Sequence, residues 1–309
     1  MLNLLSIVIG IVFVMLLFSL LATTIMEMLS GIFTLRGKNL INAIQSMLGE
    51  AETATFKNHQ YYKQLSEKAN LFRLLRRNPL PPSHIRPATF TSILMDILQI
   101  NSTGQVKQAI DSLPEGKMKE VLEFLYRDSQ EDVTLFRKKV EEWFNEVMER
   151  AAEWYASNIR IWLIWVGFTI AVIFNVDVIN IYSTLSTNAV LRENIANAAT
   201  QFVETHPEPK AVDSLTVNPD FYAAKVQAHE LLTKDIAAVS SPLGLGWETV
   251  QWPSQNKSMW WMYKLAGWLT TALAISMGAK FWFDLLRNLV SFRGSPSGGN
   301  SGAGKSDAG

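Results

Sequence analysis

Between residues 133 and 185 a charged amphipathic pattern turns into an apolar one, with no proline or cap cluster between them. The first half reads VTLFRKKVEEWFNEVMERAAEWY. Its apolar residues Phe136, Val140, Trp143, Val147, Ala151 and Trp154 recur at spacings of three or four, which is one face of a helix. The second half, IRIWLIWVGFTIAVIFNVDVINIY, carries Arg160 and Asp177 as its only charges. The pattern predicts one continuous helix of roughly 50 residues, about 75 Å long at 1.5 Å per residue. A bilayer's hydrocarbon core is only ~30 Å thick. The amphipathic half is therefore expected outside the membrane and the apolar half within it.

Two further stretches can cross. Residues 2–26 form an uncharged apolar run that is long enough to span. A signal peptide would need a basic leading region and a small-residue cleavage site, and both are missing, so an anchor is the expectation. The second stretch is MWWMYKLAGWLTTALAISMGAKFWF, residues 259–283. Its small residues Gly267, Thr271, Ala274 and Gly278 fall at spacings of three or four, which lets membrane helices approach closely.

The expected fold class is all-α: an integral membrane protein with three transmembrane helices and small helical soluble segments on both sides. Transmembrane helices are expected at 1–28, 159–182 and 258–283. A juxtamembrane amphipathic helix at 29–50 pairs Ile32, Leu35, Leu40, Ile44 and Leu48 with Arg36 and Lys38. A cytoplasmic helical region at 51–158 is expected to run into the second span, with helices near 56–69, 89–100, 105–112 and 115–127. Its prolines Pro79, Pro81, Pro82 and Pro87 demand an extended connector. A periplasmic segment at 183–257 holds helices near 189–203 and 222–238. There Trp247 and Trp252 suit either a membrane-interface loop or packing under that segment. Residues 284–293 form a cytoplasmic juxtamembrane segment, and 294–309 a disordered Gly/Ser tail.

Charge sets the orientation. Seventeen basic residues fall between positions 30 and 158, against five between 183 and 257. The positive-inside rule puts 30–158 and the C-terminus in the cytoplasm and the N-terminus outside. Overall, 28 basic residues balance 28 acidic ones, so nothing argues for nucleic acid as a partner. With no cysteine, a disulfide framework, thiolate chemistry and Cys-based metal sites are ruled out.

Catalytic patterns are weak. Residues 299–306 match a phosphate-binding loop by spelling, but no strand precedes it and only three residues follow. The four histidines, His59, His84, His206 and His229, are isolated, and His229-Glu230 lacks a second histidine. No cofactor, metal, nucleotide or enzymatic activity is expected.

The intramembrane polar residues are more informative, because an ionisable group there faces a partner or a cavity. Asp177 and Lys264 fall at comparable depth on antiparallel spans, so a pair is expected, with Asn180 extending the polar face. The alternative is that Asp177 reaches interfacial water or caps the following turn. At the inner side Glu27 is expected near Lys280 or Arg160.

Gly267, Trp268, Gly278, Phe281, Trp282, Phe283 and Asp284 lie in a stretch similar to a signature, GWxxTAxAxxxGAxFWFDLLxxLxxxR, of an uncharacterised family of bacterial membrane proteins. Leu35 to Leu40, the Asn175-Val176-Asp177 turn and Gly246-Trp247 also resemble that family. The chain departs from it at Lys280, where the family carries proline. The resemblance implies architecture and a bacterial inner membrane, not a reaction. Two readings follow: a structural, scaffold or adaptor protein, or a subunit of an oligomeric channel, pore or transporter. Expected partners are the lipid bilayer and, beyond it, a homo-oligomer or other membrane proteins.

Overall fold

A computed structural model of the chain describes residues 2–66, 81–100, 103–205, 221–248, 250 and 257–294. Every regular element among them is helical. The first part of the chain forms α1 (Leu2–Phe33), α2 (Leu35–Leu48), α3 (Glu50–Asn58), α4 (Gln60–Leu65), α5 (Pro87–Ile97), α6 (Thr103–Asp111) and α7 (Lys117–Asp128). Then come α8 (Val133–Ile173), α9 (Val178–Thr187), α10 (Ala189–Thr205) and α11 (Phe221–Glu230). A π-helical turn, Leu231–Ile236, joins α11 to α12 (Ala237–Leu243), and α13 (Lys257–Ser276) and α14 (Ala279–Gly294) complete the order. Trp252, His206, the phosphate-loop spelling and the Gly/Ser tail from residue 295 lie outside the described residues.

Two helices are long and apolar enough to cross a membrane, α1 and α8, and a third crossing exists only if α13 and α14 count as one bent span. The two differ in surroundings. The most apolar window of α1 is 72% buried within the protein, whereas that of α8 is 22% buried. Ile161, Trp162, Trp165 and Ile173 of α8 are exposed, as a lipid-facing helix requires.

Several boundaries differ from those the sequence predicts. The long helix does not run to residue 185. It stops at Ile173, where Asn175 takes a left-handed conformation at φ 49°. Val176 N–H then donates to the Ala171 carbonyl at 2.8 Å, which closes the helix end. The first helix runs past Glu27 to Phe33, and Thr34, also left-handed, separates it from α2. The described part of the predicted 56–69 helix, residues 56–66, is two pieces, because His59 is extended and its Nδ1 caps α4 by accepting from Tyr61 N–H. The predicted 258–283 span is not one helix: α13 and α14 meet at 89°. Gly278 sits at that bend with φ +90°, a conformation that costs an L-residue about 1–2 kcal/mol.

The chain divides into two compact units, one holding residues 1–25, 163–211 and 226–309, the other 26–162 and 212–225. In the first, α1 is the core. Gly10 meets Leu185 and Ile195 closely: an added Cβ would lie 2.9 Å from Leu185 Cδ1, so that side chain would have to shift. Phe13 packs on Phe202 at 5.5 Å and Phe18 on Phe174 at 5.6 Å between ring centroids. In the second, Phe90 stacks on Phe144 at 4.5 Å and packs tilted against Phe56 at 5.4 Å between ring centroids. Leu40, Ile44, Leu94, Leu122 and Val140 fill in around these rings. Tyr62 packs edge-on to Phe56, and burial pushes its phenol up to about 12. Gly37 of α2 lies against Pro81, whose carbonyl oxygen would be 2.7 Å from an added Cβ.

Candidate functional site

The break after α8 assembles a polar cluster inside the first unit. Asn175, Asp177 and Thr271 are buried there, on residues that sequence pattern alone assigns to membrane-spanning helices. Each has its hydrogen-bonding capacity directed inward, as burial of polar groups requires.

Asp177 has two tasks. Its Oδ1 accepts from the N–H groups of Ile179 at 3.0 Å and Asn180 at 3.4 Å, capping α9. Its Oδ2 stands 3.5 Å from Lys264 Nζ of α13, with both side chains nearly out of solvent, 9% and 13% exposed. The two roles the sequence offers as alternatives, ion pair and helix cap, are met by different oxygens of one carboxylate. The carboxylate rests on Gly267: an added Cβ there would lie 2.3 Å from Oδ1.

Asn175 is the hub. Its Oδ1 accepts from Lys264 Nζ at 3.3 Å and Trp268 Nε1 at 3.4 Å, while its Nδ2 donates to the Gly246 carbonyl at 2.9 Å. Gly246 N–H returns a bond to the Phe174 carbonyl at 2.9 Å. Trp247 Nε1 donates to the Val172 carbonyl at 2.9 Å, and its ring packs edge-on to Trp268. Trp247 therefore packs within the unit. Thr271 joins the same seam, accepting from Val178 N–H at 3.2 Å and donating to the Gly267 carbonyl at 2.8 Å.

A second polar seam lies at the α13–α14 break. Ser19 Oγ of α1 donates to the Ile275 carbonyl at 2.9 Å, and Trp282 Nε1 donates to the Ala274 carbonyl at 2.7 Å. At the end of α13 the Ala274 and Ile275 carbonyls accept from the Met277 and Gly278 N–H groups at 3.2 Å and 3.1 Å, and these two side chains add a second donor to each. Gly167 of α8 sits against the Ala272 carbonyl and Ile275, 3.2 Å from where its Cβ would be. Further on, Arg293 of α14 is ion-paired to Glu193 and donates to Asn197 Oδ1 at 3.2 Å, both on α10.

The remaining predicted residues are placed as follows. Asn180 contributes its backbone N–H to the cap, and it is exposed. Glu27 is half-buried on α1, and the cation acting on it is Arg36, where the sequence reading looked to Lys280 or Arg160. Lys280 instead lies 3.5 Å from Asp284, one turn along α14, and Arg160 is exposed. Asp284 is also 3.8 Å from Arg287. Of the signature residues, Gly267, Trp268 and Phe283 are buried and Phe281 is exposed.

Sequence reasoning did not find Asn175 as the acceptor shared by Lys264 and Trp268, nor Gly267 as the seat of Asp177. The signal was present: an Asn-x-Asp pair beside a helix end, facing a Gly-Trp step on the next apolar segment. Among the described residues no group of three or more His, Cys, Asp or Glu side chains could hold a metal ion. The chain matched no family model, no curated protein and no solved structure.

Proposed function

We propose that this chain is an integral membrane protein with a structural role, a scaffold or adaptor in a complex of the bacterial inner membrane. The observation that carries the reading is the closure of the polar cluster. Lys264, Asp177, Asn175, Trp268 and Thr271 satisfy one another and nearby backbone groups. A conducting path keeps polar groups facing water or a permeating ion; these groups face each other, as in a lock between helices. The similarity to the signature of bacterial membrane proteins supports the choice of membrane.

Orientation follows from charge and from one contact. The basic excess of residues 30–158 favours the cytoplasm for that region and the outer side for 183–257. Crossing by α13 and α14 to the inner side would part residues 193 and 293 by the ~30 Å hydrocarbon core. The Arg293 contacts to Glu193 and Asn197 favour a different path. In this reading α1 and α8 cross, the α13–α14 pair turns back at Gly278, and the end of α14 shares the outer side with α10.

The test has two arms on the full chain. Extraction in a mild detergent followed by affinity capture should yield a stoichiometric membrane-protein partner or a homo-oligomer. Reconstitution into liposomes should give no ion conductance above empty vesicles. Reproducible single-channel conductance, abolished by Asp177→Ala, would overturn the scaffold reading in favour of a pore subunit.

A further inference from the structure

In the second unit, α2, α7 and α8 surround a cavity of about 530 Å³. Sites for small organic ligands fall in the range of about 300–1,000 Å³. Lys117 from the first turn of α7, Arg150 from α8 and Asn42 from α2 line it. None of these three side chains has an ion pair or hydrogen bond among the described residues. One carboxylate, Glu120, lines the same space. Two cations against one carboxylate leave the lining with a single net positive charge. The rest of the lining is largely apolar, including Met47, Val121 and Val147, and two indoles, Trp143 and Trp154, contribute to it.

The position along α8 is the second observation. Trp154 is 74% exposed, and Ile161, the first large exposed aliphatic of the apolar stretch, lies seven residues on. That is about 10 Å along a helix. Exposed tryptophan at such a distance from an apolar belt belongs to the headgroup layer. Cations in that layer attract anionic lipid at about 1 kcal/mol each.

We propose that this cavity binds an anionic phospholipid by its phosphodiester headgroup. The guanidinium of Arg150 offers paired donors to phosphate oxygens and Lys117 a compact point charge. Asn42 adds a neutral donor. The single negative charge of a phosphodiester matches the single net positive charge of the lining, and Glu120 accepts from headgroup hydroxyls. The apolar lining takes the first carbons of an acyl chain. The proposal rests on α8 entering the bilayer but not on the scaffold role.

The full chain, purified in a neutral maltoside detergent, is titrated by calorimetry with short-chain phosphatidylglycerol. Short-chain phosphatidylcholine and free glycerol phosphate are titrated in parallel. Phosphatidylglycerol is expected to bind about tenfold or more tightly than either, and the Lys117→Gln/Arg150→Gln double variant to lose about tenfold of that affinity. Both cations are exposed, so the variant's melting temperature without lipid should match the parent's. Equal affinity for the choline lipid, or unchanged affinity in the double variant, overturns the proposal. Equal binding of glycerol phosphate overturns the lipid assignment in favour of a free phosphate ester. Because the titration reads binding in detergent, failure here leaves the conductance and capture results standing.

Discussion

Asp177 shows how one carboxylate can hold together the break after α8, a helix long and apolar enough to cross a membrane. Replacing it with alanine removes the α9 cap, worth about 1 kcal/mol. It also leaves the Lys264 ammonium, 13% exposed, without its counter-charge. Removing one member of a buried pair costs about 3–5 kcal/mol, and the surviving Asn175 acceptor places Asp177→Ala at the lower end of that range. Lys264→Met should cost less, since Oδ1 of Asp177 keeps two backbone donors. The double variant should then be more stable than the sum of the singles implies, by about 0.5–3 kcal/mol. Detergent unfolding of the purified chain measures all three, and strict additivity would mean the two charges do not interact. Tyr62 gives a separate, pH-dependent prediction. Its folded value is about 12, above the ordinary 10.0 of a phenol in water, because burial disfavours the phenolate. The raised value means its contribution is fully present below pH 10 and is lost as pH climbs through 12. Tyr62→Phe should flatten the stability profile across that alkaline window, and an unchanged slope would show that the phenol titrates alike in the folded and unfolded chain.

The bend between α13 and α14 depends on one glycine. Gly278 at φ +90° is where a side chain is strained whatever space is available. Gly278→Ala should cost about 1–2 kcal/mol, with spin labels on Leu269 and Asn288 moving apart as the pair straightens. No change in that distance, with stability intact, would place the cause of the bend elsewhere. Helix existence was readable from residue patterns, because buried faces repeat at the helical period: of the predicted face of α8, Phe136 and Val140 are buried and Trp143, Val147 and Ala151 half-buried, while Trp154 at its end is exposed. The breaks were not readable. Hydropathy is continuous through Ile173, Asn175 and Ile181, and through Ala274 and Phe281, so composition alone joins what the backbone separates. What separates them is a left-handed Asn175, a left-handed Gly278, a donor from Trp282 eight residues beyond Ala274, and a donor from Ser19 of the distant α1. The same limit hid the site. The sequence placed Asp177 and Lys264 at similar depth, but Asn175 as their shared neighbour depends on a turn that only the folded chain specifies.

At the scale of the whole molecule the proposed path with two crossings differs measurably from one with three, because the chain lacks cysteine. Single cysteines at Thr205, Lys57 and Ser291 report three regions with no background thiol. Each site lies on a described helix and is exposed or close to exposed residues, so labelling should not disturb the cores. With three crossings, a membrane-impermeant maleimide applied to intact cells would modify residue 205 and spare 57 and 291. With two crossings and a bent α13–α14 pair, it should modify 205 and 291 together and spare 57. The second pattern is the expected one, because Arg293 reaches Glu193 and Asn197 on α10 and an ion pair cannot span a ~30 Å hydrocarbon core. Pairing cysteines at positions 197 and 293 sharpens the test. Residues whose side chains touch across two helices should form a disulfide on mild oxidation, provided their Cα atoms lie within about 7 Å, or accept a short thiol-specific crosslinker if slightly farther. Labelling of 205 without 291, together with no crosslink between 197 and 293, would restore the three-span path and remove α14 from the outer side.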